Sequence, residues 1–210
     1  MEILKKTNIG FIFVLIMSVA LQTYSQDTKV INAFKESYAM EKKGEYNKAI
    51  DELKKVENEF NYKYEVNLRL GWLNYSSGRF TESVAYYQKA IDLKPFAVEP
   101  RLGMVYPASQ LAKWDQVQLQ YEKIISVDPS NSTANYRLGL IYYGKKDYDK
   151  AFRYFEMVVN LYPFDYDGLL MFAWTNYQKG DFAKAKLLFN KVLTISPDDK
   201  SAIEGLGYIK

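Results

Sequence analysis

The sequence predicts an all-α protein that is built as an array of helical repeats. The first observation is a series of prolines that recur every 34 residues, at Pro95, Pro129, Pro163 and Pro197. The second is that aromatic residues keep the same period in two further series, namely Tyr46, Phe80, Trp114, Tyr148 and Phe182, and Tyr87, Tyr121, Phe155 and Phe189. A period of this length is typical of two-helix units that stack to bury a continuous core.

The period also sets the register of the units. Five 34-residue units start near residues 30, 64, 98, 132 and 166, and a partial unit starts near residue 200. In the second unit, Ser83, Tyr87 and Ala90 lie at i, i+4 and i+7 and therefore share one helix face. Gly44 and Gly78 fall where the first helix of a unit should end, as does Gly180, because glycine tolerates a left-handed turn. We expect residues 26–210 to form one domain.

With this period and register, the chain resembles the tetratricopeptide repeat family over roughly residues 30–210. Small residues stand where the first helix of a unit crosses the second, at Gly71, Gly139, Ala173 and Gly207. Others stand early in the second helix, at Ala49, Ser83, Ala151 and Ala185. Small side chains let two helices approach to about 8–10 Å. The resemblance implies a right-handed superhelix of five helix–turn–helix repeats with a C-terminal closing helix.

The third unit departs from the family pattern. Val105 and Val117 occupy two of its small-residue positions, and Pro107 falls inside its first helix. Proline removes one backbone hydrogen bond and clashes with the preceding turn, at a cost of about 3 kcal/mol. We expect a kink or a break near residues 104–106, unless this helix starts late.

The N-terminal 25 residues do not follow the repeat. Lys5 and Lys6 precede an apolar run over residues 9–21, and the small residues Thr23 and Ser25 follow it. This pattern predicts a signal peptide over residues 1–25, with an uncleaved anchor as the alternative. The apolar run of about 13 residues is shorter than the roughly 20 that cross a bilayer, so we expect no stable membrane span after cleavage. The chain has no cysteine for lipidation, and we expect a periplasmic or secreted protein.

Composition argues against several classes of function. Lysine and arginine total 28 against 25 acidic residues, and both signs are interspersed, so we expect no nucleic-acid binding. The chain has no histidine and no cysteine, which removes the usual transition-metal ligands and the Ser–His and Cys–His nucleophiles. We therefore predict no catalytic residues, no metal and no cofactor. We expect Glu65, Glu99 and Asp167 to stabilise helix N-termini.

The resemblance implies that the first helices line a concave groove. Its positions carry many aromatic residues, at Phe34, Tyr38, Trp72, Tyr75, Tyr106, Tyr136, Tyr143, Trp174 and Tyr177. Tyrosine and tryptophan offer a large contact area and a polar group. We therefore predict that the protein is an exported, non-enzymatic adaptor that binds a protein or peptide partner in this groove. Family members that bind acidic C-termini use Lys, Asn and Arg in the groove, and we expect no such clamp here. Packing of the rings between repeats is the alternative.

Two other functions stay open at this point. Stacked rings also suit carbohydrates, for which Ser76, Ser109, Gln110 and Gln178 are candidate flanking groups. The array could instead space or oligomerise through its convex face and residues 62–64. If the groove binds a partner, Trp72→Ala and Trp174→Ala should weaken capture and leave stability nearly unchanged.

Overall fold

The computed structural model describes residues 27–209, and all regular structure in that range is helical. The predicted all-α class is confirmed, whereas the predicted signal peptide lies outside the described residues. None of the helices in this range is long and apolar enough to cross a membrane. The α-helices are α1 (27–42), α2 (Tyr46–Lys54), α3 (Lys63–Ser76), α4 (Phe80–Leu93), α5 (Glu99–Gln110), α6 (Trp114–Val127), α7 (Ser132–Gly144), α8 (Tyr148–Leu161), α9 (Tyr166–Gln178), α10 (Phe182–Ile195) and α11 (Lys200–Tyr208).

The chain divides into two compact units, with the boundary between Leu111 and Ala112. The N-terminal unit contains α1–α5, and the C-terminal unit contains α6–α11. The boundary therefore falls inside the third predicted repeat, between its first and second helices. This is the repeat in which Val105 and Val117 replace small residues. The expectation of one domain over residues 26–210 stays a prediction.

In the N-terminal unit, an aromatic ring packs between two glycines. Tyr87 of α4 is buried, and a Cβ atom built on Gly71 of α3 would lie 2.8 Å from its ring. A Cβ on Gly103 of α5 would lie 2.3 Å from the same ring. The Ser83 hydroxyl donates to the Gly71 carbonyl at 2.7 Å. Gly71, which the sequence placed at the helix crossing, is therefore needed for close packing, and so is Gly103, which it did not. Gly207, which the sequence placed at the same repeat position as Gly71, has no atom within 4 Å of a built Cβ.

The C-terminal unit uses the same arrangement. Phe155 of α8 and Phe189 of α10 are fully buried. A Cβ on Gly139 would lie 2.6 Å from the Phe155 ring, and one on Gly205 of α11 would lie 2.3 Å from the Phe189 ring. Helix α11 thus closes the core of this unit, as the partial sixth repeat predicted.

The turns between paired helices confirm the predicted glycines. Gly44, Gly78 and Gly180 have φ values of 75°, 79° and 81°. Two further residues adopt the left-handed conformation without being glycine, namely Ala112 at 54° and Lys146 at 60°. A side chain in this region costs roughly 1–2 kcal/mol, so these two turns store strain that the glycine turns avoid.

Helix α5 is continuous from Glu99 to Gln110 although it contains Pro107. The helix therefore neither breaks near residues 104–106 nor starts late, and of the expected outcomes only the kink stays a prediction. Pro107 lies in the last turn, and backbone bonding resumes after it because the Leu111 amide donates to its carbonyl at 3.1 Å. The Ser109 hydroxyl donates to the Val105 carbonyl at 2.7 Å. Pro107 therefore removes the one bond that its amide would donate to the Gly103 carbonyl, and the helix continues past it.

Side-chain caps distinguish the two units. Helices α7–α11 each begin at a residue whose side chain accepts a hydrogen bond from a backbone amide of the first turn, namely Asn131, Asp147, Asp165, Asp181 and Asp199. Asp165, for example, accepts a 2.7 Å bond from the Gly168 amide. Helices α2–α5 have no such cap, and neither does α6, the first helix of the C-terminal unit. Each cap stabilises its helix by about 1 kcal/mol, so the C-terminal unit gains more from local bonds.

Candidate functional site

A cavity of about 630 Å³ opens beside the first helices of the N-terminal unit. Its size is in the range of pockets that hold small ligands or a few side chains. Three predicted groove residues, Phe34, Tyr38 and Trp72, contribute to its walls. We call this cavity the aromatic pocket, and its lining residues are Phe34, Tyr38, Tyr64, Glu65, Leu68, Arg69, Trp72, Tyr87, Glu99 and Gly103.

A row of aromatic rings extends from the aromatic pocket. The Tyr75 ring lies with its centroid 5.9 Å from that of Trp72 and 5.8 Å from that of Tyr106. Tyr38, Trp72 and Tyr106 are 48%, 42% and 59% exposed, whereas Tyr75 is half-buried between its neighbours. All five groove residues that the sequence predicted for this unit therefore lie in or beside the pocket. The Tyr75 ring contacts those of Trp72 and Tyr106, and both of these neighbours still present open surface.

An ion pair fixes one wall of the pocket. The Arg69 guanidinium pairs with Glu41 and lies 3.9 Å from the Tyr38 ring centroid. The Trp72 indole nitrogen donates to Glu41 Oε1 at 2.6 Å. Partial burial raises the pKa of Glu41, but the hydrogen bonds from Arg69 and Trp72 outweigh it and lower that pKa overall. Glu41 is thus an ionised acceptor that orients the exposed indole.

A second charged group contacts two other lining residues of the pocket, Tyr64 and Glu65. Lys94 Nζ is 3.4 Å from Glu65 Oε1 and 3.9 Å from the ring centroid of Tyr64. The Tyr64 hydroxyl donates to Glu99 Oε2 at 3.4 Å. Burial and the negative charge of Glu99 both raise the pKa of Tyr64, so this hydroxyl stays protonated at neutral pH.

The sequence did not identify every residue of this site. Glu65 and Glu99 were assigned only to helix ends; both do lie in first turns, but they also line the aromatic pocket. Arg69 and Tyr64 were not identified. The sequence signal for Arg69 was weak because its partner Glu41 is 28 residues away and no periodic pattern marks that pair.

The predicted groove residues of the C-terminal unit have different surroundings. The Trp174 ring centroid lies 5.0 Å from that of the buried Phe189, and the indole nitrogen donates to Ser201 Oγ at 2.9 Å. The Tyr177 ring packs 5.7 Å from Trp174 and 6.1 Å from Tyr208. Trp174 therefore joins α9 to α10 and α11. These contacts argue against the expectation that Trp174→Ala leaves stability unchanged, and we instead predict a loss of stability.

Tyr136 and Tyr143 also contact neighbouring rings. Tyr136 lies edge-on to Phe155 at 5.9 Å, and Tyr143 lies edge-on to Tyr148 at 5.4 Å. Tyr136 borders a smaller cavity of about 360 Å³, together with Arg137. In this unit, the alternative of ring packing between repeats describes Trp174 and Tyr177 best.

Comparison with known families agrees with the repeat register. Residues 64–96, 132–165 and 166–199 match models of the tetratricopeptide repeat. These are the second, fourth and fifth predicted repeats. Over 156 residues the chain is also 24% identical to human protein O-mannosyl-transferase TMTC1, covering 71% of this chain and 17% of that protein. The chain thus spans about a sixth of the length of this relative.

Several solved structures share the fold. A tetratricopeptide repeat protein from Parabacteroides merdae superposes with a TM-score of 0.72 at 18% identity, over 87% of this chain and 72% of that one. MamA from Desulfovibrio magneticus gives 0.66 at 19% identity, over 82% and 97%. YrrB, a tetratricopeptide repeat protein with an unusual peptide-binding site, gives 0.67 at 15% identity, over 89% and 95%. At these identities the likeness shows the fold alone.

Proposed function

Because the chain is a tetratricopeptide repeat protein, a repeat scaffold of the kind that mediates contacts between proteins, we propose that it is a non-enzymatic adaptor whose aromatic pocket binds a peptide segment of a partner protein. One observation carries the proposal. Trp72 is 42% exposed although its indole nitrogen is fixed by Glu41. An exposed ring that is already ordered loses little conformational entropy when a partner covers it.

The composition of the pocket supports a peptide as the ligand. Phe34, Leu68 and Trp72 offer apolar surface, while Arg69 and Glu99 offer charged groups at its edges. Peptides combine apolar side chains with backbone and charged groups, and tryptophan, tyrosine and arginine are the residues that contribute most to binding in protein interfaces. YrrB, which shares the fold, has a peptide-binding site, and that likeness adds support.

The adaptor proposal is tested by comparing two tryptophans. The full chain with a C-terminal tag would be expressed in its native host, crosslinked, purified and analysed by mass spectrometry. We expect Trp72→Ala to lose a partner that the parent chain captures. Trp114→Ala is the matched control, because Trp114 is 62% exposed but belongs to the C-terminal unit, outside the pocket. Equal capture by all three chains would contradict the proposal.

We also propose that the adaptor acts after export. The basic residues and apolar run within residues 1–25 support this localisation. N-terminal sequencing of the protein recovered from the envelope or medium should begin at Gln26. Recovery from the cytoplasm with Met1 retained would contradict export and leave the pocket proposal intact.

A carbohydrate ligand is a second candidate. The sequence offered few polar groups beside the rings, but the structure places Glu41 and Arg69 beside Tyr38 and Trp72. Exposed rings flanked by charged hydrogen-bonding groups suit a sugar as well as a peptide. Binding on a glycan array that Trp72→Ala abolishes and Trp114→Ala preserves would favour this candidate.

A further inference from the structure

We infer that the aromatic pocket selects a peptide segment in which a basic side chain stands beside an apolar one. This inference rests on the proposed function and names the chemistry of the partner segment. It depends on how the charges of the pocket are already paired, on the ring faces that remain free, and on the size of the cavity.

Arg69 in the pocket and Lys94, which contacts the lining residues Tyr64 and Glu65, already have partners. Arg69 is paired with Glu41 and covered on one face by the Tyr38 ring. Lys94 is shared between Glu65 and the Tyr64 ring. An incoming acidic side chain would therefore have to displace an existing carboxylate to find a cation. This arrangement disfavours acidic peptides.

One carboxylate of the pocket is not neutralised in the same way. Within residues 27–209, no lysine or arginine forms an ion pair with Glu99, which accepts only the long 3.4 Å bond from Tyr64. Glu99 is exposed and lines the pocket. It lies in the first turn of α5, where the helix contributes roughly half a positive charge. The pocket therefore retains net negative charge once Glu41 with Arg69 and Glu65 with Lys94 are counted as neutral pairs.

The rings of the pocket already bind cations. Arg69 and Lys94 each lie 3.9 Å from a tyrosine ring centroid, which is a favourable distance for a cation–π contact. Tryptophan is the aromatic side chain that attracts cations most strongly. Within the described residues, no lysine or arginine lies over the Trp72 ring. A basic side chain of a partner can contact Trp72 and Glu99 in the same 630 Å³ cavity, while an apolar neighbour contacts Phe34 and Leu68.

Three labelled hexapeptides test this inference by fluorescence anisotropy with the full chain. Their sequences are AKLFKA, AQLFQA and AELFEA, which share the apolar centre and differ in charge. We expect the basic peptide to bind at least about tenfold more tightly than the acidic one at low salt. The difference should shrink in about 0.3 M salt because ions screen exposed charges. Equal affinities, a preference for the acidic peptide, or no binding of the basic peptide would overturn the inference.

A pair of charge-neutralising variants locates the effect. Glu99→Gln should weaken the basic peptide by about three- to tenfold and leave the neutral peptide unchanged. Asp167→Asn removes one negative charge from the equivalent repeat position, in the first turn of α9 in the C-terminal unit. This variant should change the affinity of neither peptide. Equal losses in both variants would mean that net charge, and not the pocket, attracts the peptide. Loss of native partner capture in Trp72→Ala together with equal peptide affinities would overturn only the charge preference and keep the adaptor function.

Discussion

Trp72 and Trp174 occupy the same position in two repeats, yet one lines an open pocket and the other holds helices together. The Trp72 indole donates to Glu41 of the preceding repeat, whereas the Trp174 indole donates to Ser201 of the following one. Trp174 also packs on the buried Phe189. The position of a residue in the repeat thus determines which helix face it occupies, and the neighbouring repeats determine whether its ring is available.

The two units also differ in how their helices are held. In the C-terminal unit α7–α11 have side-chain caps, whereas α2–α5 of the N-terminal unit lack them. Both units also join neighbouring repeats through ion pairs, such as Glu41–Arg69 in the N-terminal unit and Asp149–Lys179 in the C-terminal unit. The unit that carries the open pocket therefore gains less stabilisation from helix caps than the other unit.

The largest expected effect is a difference in the free energy of unfolding between the Trp174→Ala and Trp72→Ala variants. Trp174→Ala should lower the free energy of unfolding by about 2–4 kcal/mol, because it removes a ring packed on Phe189 and a hydrogen bond to Ser201. Trp72→Ala should cost less than about 1 kcal/mol, since nearly half of its surface is already in water. Urea unfolding followed by circular dichroism measures both. Equal costs would remove the contrast between the two sites.

A second change tests whether the cores of the two units are alike. Gly103→Ala and Gly205→Ala should each cost about 1–3 kcal/mol, because the new methyl groups would overlap the buried rings of Tyr87 and Phe189. Gly207→Ala is the matched control, since nothing lies within 4 Å of a Cβ there and α11 should gain up to about 1 kcal/mol. Urea midpoints give all three values. If only one of these two substitutions lowers stability, the packing of a glycine against a buried ring is not equally tight in both units.

A smaller effect concerns the turns. Lys146→Gly should raise the stability of the C-terminal unit by about 1 kcal/mol, because glycine adopts a φ of 60° without strain. Gly78→Ala should lower the stability of the N-terminal unit by a similar amount, since its φ is 79°. Thermal melts of the two variants would show opposite shifts. Shifts of the same sign would contradict the assignment of strain to these turns.

The smallest effect is a pH dependence in the C-terminal unit. The Tyr166 hydroxyl donates to Asp199 Oδ2 at 2.5 Å, and this bond, with burial and the charge of Asp199, raises the pKa of Tyr166 to about 12. A raised pKa favours the neutral form in the folded chain, so the bond contributes fully below about pH 10 and is lost as the pH rises toward 12. The stability difference between the parent chain and Tyr166→Phe should shrink between about pH 9 and about pH 12. A constant difference would contradict this linkage.

Much of the fold could be predicted because the 34-residue period fixes local structure. Helices α7, α9 and α11 start at Ser132, Tyr166 and Lys200, as the register predicted. The left-handed turns at Gly44, Gly78 and Gly180 could be predicted for the same reason. The left-handed Ala112 and Lys146 could not be predicted, because neither residue type favours that conformation and the repeat geometry imposes it. The continuity of α5 was missed because a helix can continue past a proline at the loss of one backbone bond, and the sequence alone does not show where it does.

The candidate site was only partly predictable. Phe34, Tyr38 and Trp72 were found because they occupy periodic groove positions. The role of Glu41 depends on a contact with Arg69 that joins two repeats, and no single-repeat pattern encodes it. The burial of Trp174 depends in the same way on Ser201 of the next repeat. Contacts between repeats thus decide which rings stay exposed, whereas the period within each repeat decides the fold.

Hydroxyl-radical footprinting of the three tryptophans tests the central contrast most directly. Mass spectrometry would follow oxidation of Trp72, Trp174 and the exposed reference Trp114 in the free chain and in the crosslinked complex with its captured partner. We expect Trp72 to oxidise faster than Trp174 in the free chain and to become protected in the complex, while Trp114 and Trp174 keep their rates. Equal oxidation of Trp72 and Trp174 in the free chain, or no protection of Trp72 in the complex, would contradict an open, partner-binding pocket in the N-terminal unit.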